Sequence, residues 1–168
     1  MMNYCYECGT RLEIRELQGE GAVPYCTGCG KFVFPVFSTA VSMIVLSPDR
    51  SKILLIRQYG SDTNILVAGY VNKGEDAEAA VIREVREEIG LEVSSLHFNH
   101  SAYFEKSNTL MLNFACTAES EGLEGVNASE VDHAQWYTYE QAVREIRHGS
   151  LAERFLLGWL KMSEADRR

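Results

Sequence analysis

Four of the five cysteines stand in two close pairs, Cys5-Tyr-Glu-Cys8 and Cys26-Thr-Gly-Cys29, with 17 residues between the pairs. Two thiolates spaced in this way can hold two corners of a tetrahedron around one divalent ion, so two pairs fit a four-thiolate zinc site. Each second cysteine precedes a glycine, Gly9 or Gly30, which can take positive φ and turn backbone N–H groups toward the sulfurs. A site with every corner filled by protein is structural, because no position is left for a substrate. Disulfides would need an oxidising compartment, and a redox dithiol would account for one pair only. Cys116, within an apolar run, reads as a buried core thiol.

The second group is acidic. Glu84, Glu87 and Glu88 fall at i, i+3 and i+4, so a helix would hold them within about 100° of one another. Three carboxylates so placed repel each other, and Arg83 and Arg86 can relieve only part of that repulsion. Such a run, taken alone, reads first as a solvated acidic face and otherwise as a set of hard oxygen ligands for divalent cations such as Mg²⁺, which binds carboxylates together with substrate phosphates. No metal or triad spacing involves His97, His100, His133 or His148.

The elements that must position these residues follow from periodicity. Ala77, Val81, Val85 and Ile89 recur every fourth residue and give the acidic helix, 77–89, a buried stripe, with Gly69, Gly74 and Gly90 bracketing it. Further helices are expected at 140–147 and 151–162. Strands are expected at 39–46, 52–58, 64–67, 91–97, 109–117 and 135–139, the first two joined by the turn Ser47-Pro-Asp-Arg-Ser51. Between the cysteine pairs, Arg11 to Leu17 alternates like a strand and Gly19-Glu-Gly21 supplies a turn. This order implies an α/β (α+β) sandwich with a mixed sheet, residues 35–168, preceded by a small zinc ribbon, residues 1–34.

Composition agrees with a globular chain: 46% of residues are hydrophobic and 24% charged, and no apolar run is long enough to span a bilayer. The first residues have neither the basic region nor the apolar core of a secretory signal, so a cytoplasmic protein without membrane partners is expected. A net charge of −8 disfavours nonspecific binding to nucleic acid and requires metal ions, or a locally basic pocket, before a phosphate-bearing substrate can approach.

From Gly69 to Leu91 the chain matches, position for position, the Nudix box: Gly69, Glu75, Arg83-Glu84-Val85, Glu87-Glu88 and Gly90-Leu91 at the required spacing. The sequence is therefore identified as resembling the Nudix hydrolases, α/β/α sandwiches that cleave nucleoside diphosphate linkages with Mg²⁺ or Mn²⁺. By that resemblance Glu84 and Glu88 are metal ligands, Glu87 is a ligand or helps to activate water, Arg83 orients the glutamates, and the carbonyl of Ala68 completes a metal site. A four-cysteine ribbon before the box is the layout of the NADH pyrophosphatase branch. Val67-Ala-Gly-Tyr-Val71, Glu130-Val-Asp-His-Ala-Gln-Trp136 and Gly149-Ser-Leu-Ala-Glu-Arg-Phe155 resemble segments of that branch.

The resemblance implies that Glu130 is a further metal-binding carboxylate and that Ala152 contacts the substrate through its backbone. It also implies that Phe34, Tyr70 and Phe104 contact the substrate and that the protein forms a homodimer, with the apolar stretch 32–37 a candidate interface. The implied substrate is a small nucleotide, NAD(H), cleaved to AMP and nicotinamide mononucleotide. ADP-ribose, dinucleoside polyphosphates and NAD-capped RNA 5′ ends are the alternatives, with a silent nucleotide-sensing module as a rival. One window departs from the branch: where it carries a proline-rich run, this chain reads Ser101-Ala-Tyr-Phe-Glu-Lys-Ser-Asn-Thr-Leu-Met111, and Lys106 becomes a candidate phosphate contact.

Overall fold

The computed structural model describes residues 3–162. The chain forms two compact units, Met1–Phe37 and Ser38–Arg168. In the first, strands β1 (Glu13–Leu17), β2 (Gly21–Cys26) and β3 (Lys31–Phe32) make an antiparallel sheet. Its buried cluster is Cys5, Cys26 and Val33, with Leu12 and Cys29 against them, and Val23 is the other buried apolar residue of the unit among those described. Val33 donates its N–H to the Pro24 carbonyl, 2.8 Å, so the chain stays with this sheet past residue 32. An interior of this size cannot offset the conformational entropy of more than thirty ordered residues.

The second unit is built on β4 (Ser38–Leu46), β5 (Lys52–Gln58), β6 (Val67–Tyr70), β7 (Val93–Phe104), β8 (Thr109–Ala118) and β9 (Val131–Thr138). They lie in the order β7-β8-β4-β5-β9, with β6 also on β4. Pairing of β4 with β8 is parallel and all other pairs are antiparallel, which makes the sheet mixed. Helices α1 (Ala77–Ile89), α2 (Tyr139–Glu145) and α3 (Leu151–Leu160) follow β6 and β9.

Alternation sorts the central strands into two cores. Val41, Met43, Val45, Leu54 and Ile56 pack with Ala80, Val81, Val85 and Ile89 of α1. Ile44, Leu46, Ile53 and Leu55 pack with Ala142 of α2 and with Phe155, Leu156 and Trp159 of α3. Helices thus cover both faces, and the two middle strands read as continuous apolar runs because neither face meets water.

The turn 47–51 joins β4 to β5 as expected, and the Asp49 carboxylate accepts bonds from Ser47 Oγ, 2.6 Å, and Ser51 N, 3.0 Å. The hairpin is nevertheless short, with Leu46↔Ile53 its only registered pair. Beyond it β5 parts from β4, and β6 takes the vacated edge, pairing Ala40↔Tyr70 through Met43↔Val67.

That pairing corrects the strand expected at 64–67. Asn64 and Ile65 make isolated bridges only, and the Asn64 side chain accepts from Arg57 Nε, 2.8 Å, and donates to the Glu145 carbonyl, 3.0 Å. Edge strands β7 and β9 run longer than their apolar cores suggest, because many of their residues face solvent and leave no apolar pattern. Helix α2 ends two residues early: Ile146 is extended and buried, and Arg147 donates its N–H to the Asn64 carbonyl, 2.8 Å. Helix α3 ends at Leu160 rather than at 162.

Candidate active site

Helix α1 begins after Asp76 and stops at Gly90, whose φ of 77° lets its N–H reach the Arg86 carbonyl at 3.0 Å. A side chain there would also meet the Gly125 backbone at 2.7 Å, so two backbones touch where the helix ends. The helix divides the three glutamates. Glu84 and Glu88 are buried, at 9% and 4% exposure, whereas the Glu87 side chain is 55% exposed. The carboxylates therefore do not share one environment, as their spacing alone suggests.

Arg83 explains how the cluster is tolerated. Its guanidinium donates to Glu84 Oε1 at 2.6 Å and Glu87 Oε2 at 3.0 Å, and it grips both oxygens of Glu75 at 2.7 and 2.8 Å. A fifth bond, 2.9 Å, goes to the Tyr70 carbonyl at the end of β6. Bound chiefly to Arg83, and also accepting the Asn72 N–H at 2.9 Å, the Glu75 carboxyl is held at about 2. Glu75 had no role assigned from sequence beyond its place in the motif; its signal was the three-residue loop spacing from Asn72.

Glu84 lies against β6 at a position that requires glycine. A β-carbon on Gly69 would stand 1.9 Å from the Glu84 carboxyl carbon. Glu88 is different again: burial pushes its carboxyl up to about 7, partly offset by the nearby Gln58 amide and reinforced by Glu84, Glu130 and Glu87. Neither Glu88 Oε2 nor Gln58 Nε2, both buried, has an aligned hydrogen-bond partner among the described residues. A buried carboxylate oxygen without a donor fits a cation ligand. Gln58 is not marked by the sequence because it simply ends the apolar run of β5; the register shift between Arg57 and Gln58 is what marks it.

These groups open onto a cleft of about 910 Å³. Glu84, Glu88 and Glu130 line it together with Ala68, and Arg83 lies at its wall; Glu87 is not among its lining residues. Tyr70, Phe104, Lys106 and Ala152 also line it, the last from the first turn of α3. Phe34 belongs to the first unit, and every lining residue comes from the second. The window 101–111 forms the end of β7, a 3₁₀ turn (Glu105–Ser107) and the start of β8, closed at Asn108 with φ 51°. Trp136 donates to the Glu121 carbonyl at 3.0 Å and packs at the edge of the α1 core.

In the first unit the four cysteines are the one group, among the described residues, whose ligand atoms all lie within 4.8 Å of each other. Cys5 and Cys29 sulfurs are 3.8 Å apart, those of Cys8 and Cys26 3.4 Å, and all are free thiols. Tetrahedral Zn–S bonds of about 2.3 Å place sulfurs about 3.8 Å apart, so the spacing suits that ion. The Thr10 hydroxyl draws Cys8 down to about 6, while its thiol neighbours Cys8 and Cys26 drive Cys29 up to about 12. Four thiolates cannot coexist there without a cation.

The NUDIX domain pattern matches residues 36–157. The chain belongs to the NUDIX family. It is 34% identical to the NAD-capped RNA hydrolase NudC of Pseudomonas aeruginosa (strain LESB58), over 82% of this chain and 48% of that protein. It is 33% identical to the protein of the same name from Haemophilus influenzae (strain PittGG), over 98% of this chain and 62% of that one. The chain thus spans about half to three-fifths of these curated relatives' lengths, 48% and 62%. Among solved structures, a NUDIX hydrolase from Nitrosomonas europaea superimposes with a TM-score of 0.61 at 17% identity, over 93% of this chain and 91% of that one. No helix among the described residues is long and apolar enough to cross a membrane.

Proposed function

We propose that the protein is a metal-dependent diphosphohydrolase that splits NAD(H) into AMP and nicotinamide mononucleotide. The observation that carries the reading is Glu88: buried, with one oxygen unpartnered, beside Glu84 and Glu130 in the cleft. Glu84, Glu88, Glu130 and the Ala68 carbonyl would hold Mg²⁺ or Mn²⁺, and Cys5, Cys8, Cys26 and Cys29 a structural zinc. When bound, the catalytic ions neutralise the diphosphate and lower the pKa of water.

The chain's own groups do the rest. Arg83 fixes Glu84 and Glu87 against mutual repulsion, and leaves Glu87 Oε1 outside its grip to take a proton from the attacking water. Water adds to one phosphorus, the bridging P–O bond breaks, and the leaving phosphate departs with its electron pair. Tyr70 and Phe104 offer rings for stacking at the cleft, and the Ala152 backbone offers a polar edge. Reduced thiols in the ribbon suit a cytoplasmic setting, and a homodimer is the assembly we infer from the branch resemblance.

Removal of an NAD cap from RNA is the second reading, favoured by the names of the curated relatives. The test is to incubate purified protein with NADH, NAD, ADP-ribose, a dinucleoside polyphosphate and an NAD-capped oligonucleotide, with Mg²⁺ or Mn²⁺, and to separate the products. AMP and the mononucleotide from NADH support the proposal. Metal-dependent cleavage of every compound except the NAD-containing ones would refute the substrate and leave the hydrolase.

A further inference from the structure

The cleft carries a buried hydroxyl that the hydrolysis does not use. Ser42, on β4, lines the cleft, yet the residue is only 4% exposed. Alternation along β4 puts it on the same face as Ile44 and Leu46, which pack against α2 and α3. Apolar residues line the cleft from the same side of the sheet: Ala40, Leu66, Met111 and Phe155. A polar group set among such neighbours costs free energy unless its hydrogen bonds are made.

A chain of amides fixes how this hydroxyl stands. Asn113, fully buried on β8 and in register with Ser42, donates from Nδ2 to the Ser42 carbonyl at 3.0 Å and to Ser42 Oγ at 3.1 Å. Its own Oδ1 accepts from Asn99 Nδ2 at 2.8 Å. Asn99 stands at the register shift between Phe98 and His100 in β7, and the same Nδ2 donates to the Phe155 carbonyl of α3 at 3.2 Å. Each Nδ2 thus spends its hydrogens, which sets the direction of every bond in the chain. Ser42 Oγ, at the end, is an acceptor, and its own hydrogen meets no acceptor among the described residues. Thr109, another hydroxyl lining the cleft, instead donates to the Ser107 carbonyl at 3.0 Å.

Resting on the reading above that the cleft holds a nucleotide, we propose that Ser42 determines specificity by donating its hydroxyl hydrogen to an acceptor atom on the substrate's base, with Asn113 and Asn99 positioning it. The base is the part of a nucleotide that suits these surroundings. Its flat face can lie against Ala40, Leu66, Met111 and Phe155, and its edge carries nitrogen or oxygen acceptors. A phosphate would lose its water there and gain one neutral donor in return. In a cleft lined largely by apolar groups, the few placed polar ones fix the orientation of what binds. A C–H in place of the acceptor would leave the buried hydrogen of Ser42 unpaired, and that is the basis of discrimination.

Titration calorimetry tests this without requiring cleavage. Wild type, Ser42→Ala and Asn113→Leu are each titrated with AMP and its 1-deaza, 3-deaza and 7-deaza analogues, and with nicotinamide mononucleotide and its thioamide. Each analogue replaces one acceptor, a ring nitrogen by C–H or the carboxamide oxygen by sulfur. One analogue should bind wild type about fivefold or more weakly than its parent, and in both variants that ratio should fall to within about twofold. Damage to the fold, or to the seating of α3, weakens parent and analogue alike and leaves the ratio unchanged. A ratio that survives Ser42→Ala therefore overturns the proposal, as does equal binding of every parent and analogue by wild type, or no binding of either parent. A ratio lost by Ser42→Ala and kept by Asn113→Leu would strike the positioning role. NADH turnover is assayed alongside: acceptor-dependent binding without cleavage would sink the hydrolase reading alone, and cleavage without acceptor dependence would sink the role of Ser42 alone.

Discussion

Replacing Glu88 with Gln gives the sharpest view of the site, because it separates the cost of the carboxylate from its use. In the metal-free protein burial lifts this carboxyl from 4.5 to about 7. A group whose folded pKa is raised contributes stability that is complete below the unfolded value and is lost as pH climbs through the folded one. Wild-type protein without catalytic metal should therefore lose about 3 kcal/mol between pH 4.5 and pH 8, at 1.36 kcal/mol per pH unit. For a domain of this size that is roughly 6–12 °C in Tm. Gln cannot ionise, so Glu88→Gln should melt close to wild type at pH 5 and well above it at pH 8.

The assay is intrinsic fluorescence during thermal unfolding, in buffer freed of Mg²⁺ and Mn²⁺ with the ribbon zinc retained. Both tryptophans, Trp136 and Trp159, lie in the second unit and report it alone. Added Mn²⁺ should then raise the wild-type Tm at pH 8, raise it little at pH 5, and leave Glu88→Gln nearly unmoved. Melting curves for the two proteins that run parallel from pH 5 to pH 8 would refute the argument that this carboxylate is strained until a cation arrives.

Other expectations follow from the same geometry. Glu87→Gln should keep the fold and lower turnover by roughly 10²–10³, on the scale of losing one group that stabilises the transition state; a change below twofold in metal-dependent hydrolysis would remove Glu87 from the mechanism. Gly69→Ala should unseat the Glu84 carboxylate, because the new methyl would lie 1.9 Å from it, and metal titration should show weakened affinity even if the protein folds. Elemental analysis should find one zinc per chain, and Cys8→Ser should impair folding more than it alters the chemistry of the protein that remains folded. Light scattering should give a dimer mass, since Phe34, Val36 and Phe37 are each more than two-fifths exposed; a monomer across working concentrations would exclude it.

Much of this was legible in the sequence because two constraints write themselves locally. A helical stripe of Val81, Val85 and Ile89 fixes which way α1 faces, and the motif spacing fixes where along it the glutamates stand. Cysteine pairs declare their cluster in the same way. What was not legible depends on partners far along the chain. The strand Val67–Tyr70 contains Ala-Gly, which reads as loop, and it exists because β4 offers an edge and Glu84 needs a neighbour without a side chain. Gln58 faces the cleft through a bulge that no periodicity announces. The division between buried Glu88 and exposed Glu87 is likewise a property of packing, since spacing alone places both within one arc.

The two sites solve charge crowding by opposite means, and this bears on how each fails. In the ribbon no cationic side chain among the described residues is bonded to the sulfurs; the thiols crowd one another with little hydrophobic interior beneath them. Loss of the ion should therefore unfold the unit. In the cleft, Arg83 is bonded to Glu75, Glu84 and Glu87, and a sheet with two cores lies beneath it. Loss of the ion there should leave the fold standing and only reprotonate Glu88. Arg83→Lys tests the distinction directly, since an ammonium lacks the fork that holds Glu75 through two bonds while reaching Glu84 and Glu87. The variant should fold, hold its zinc, and lose turnover and metal affinity together. Were it to lose zinc and keep turnover instead, the assignment of the two ions to separate structural and catalytic duties would be wrong.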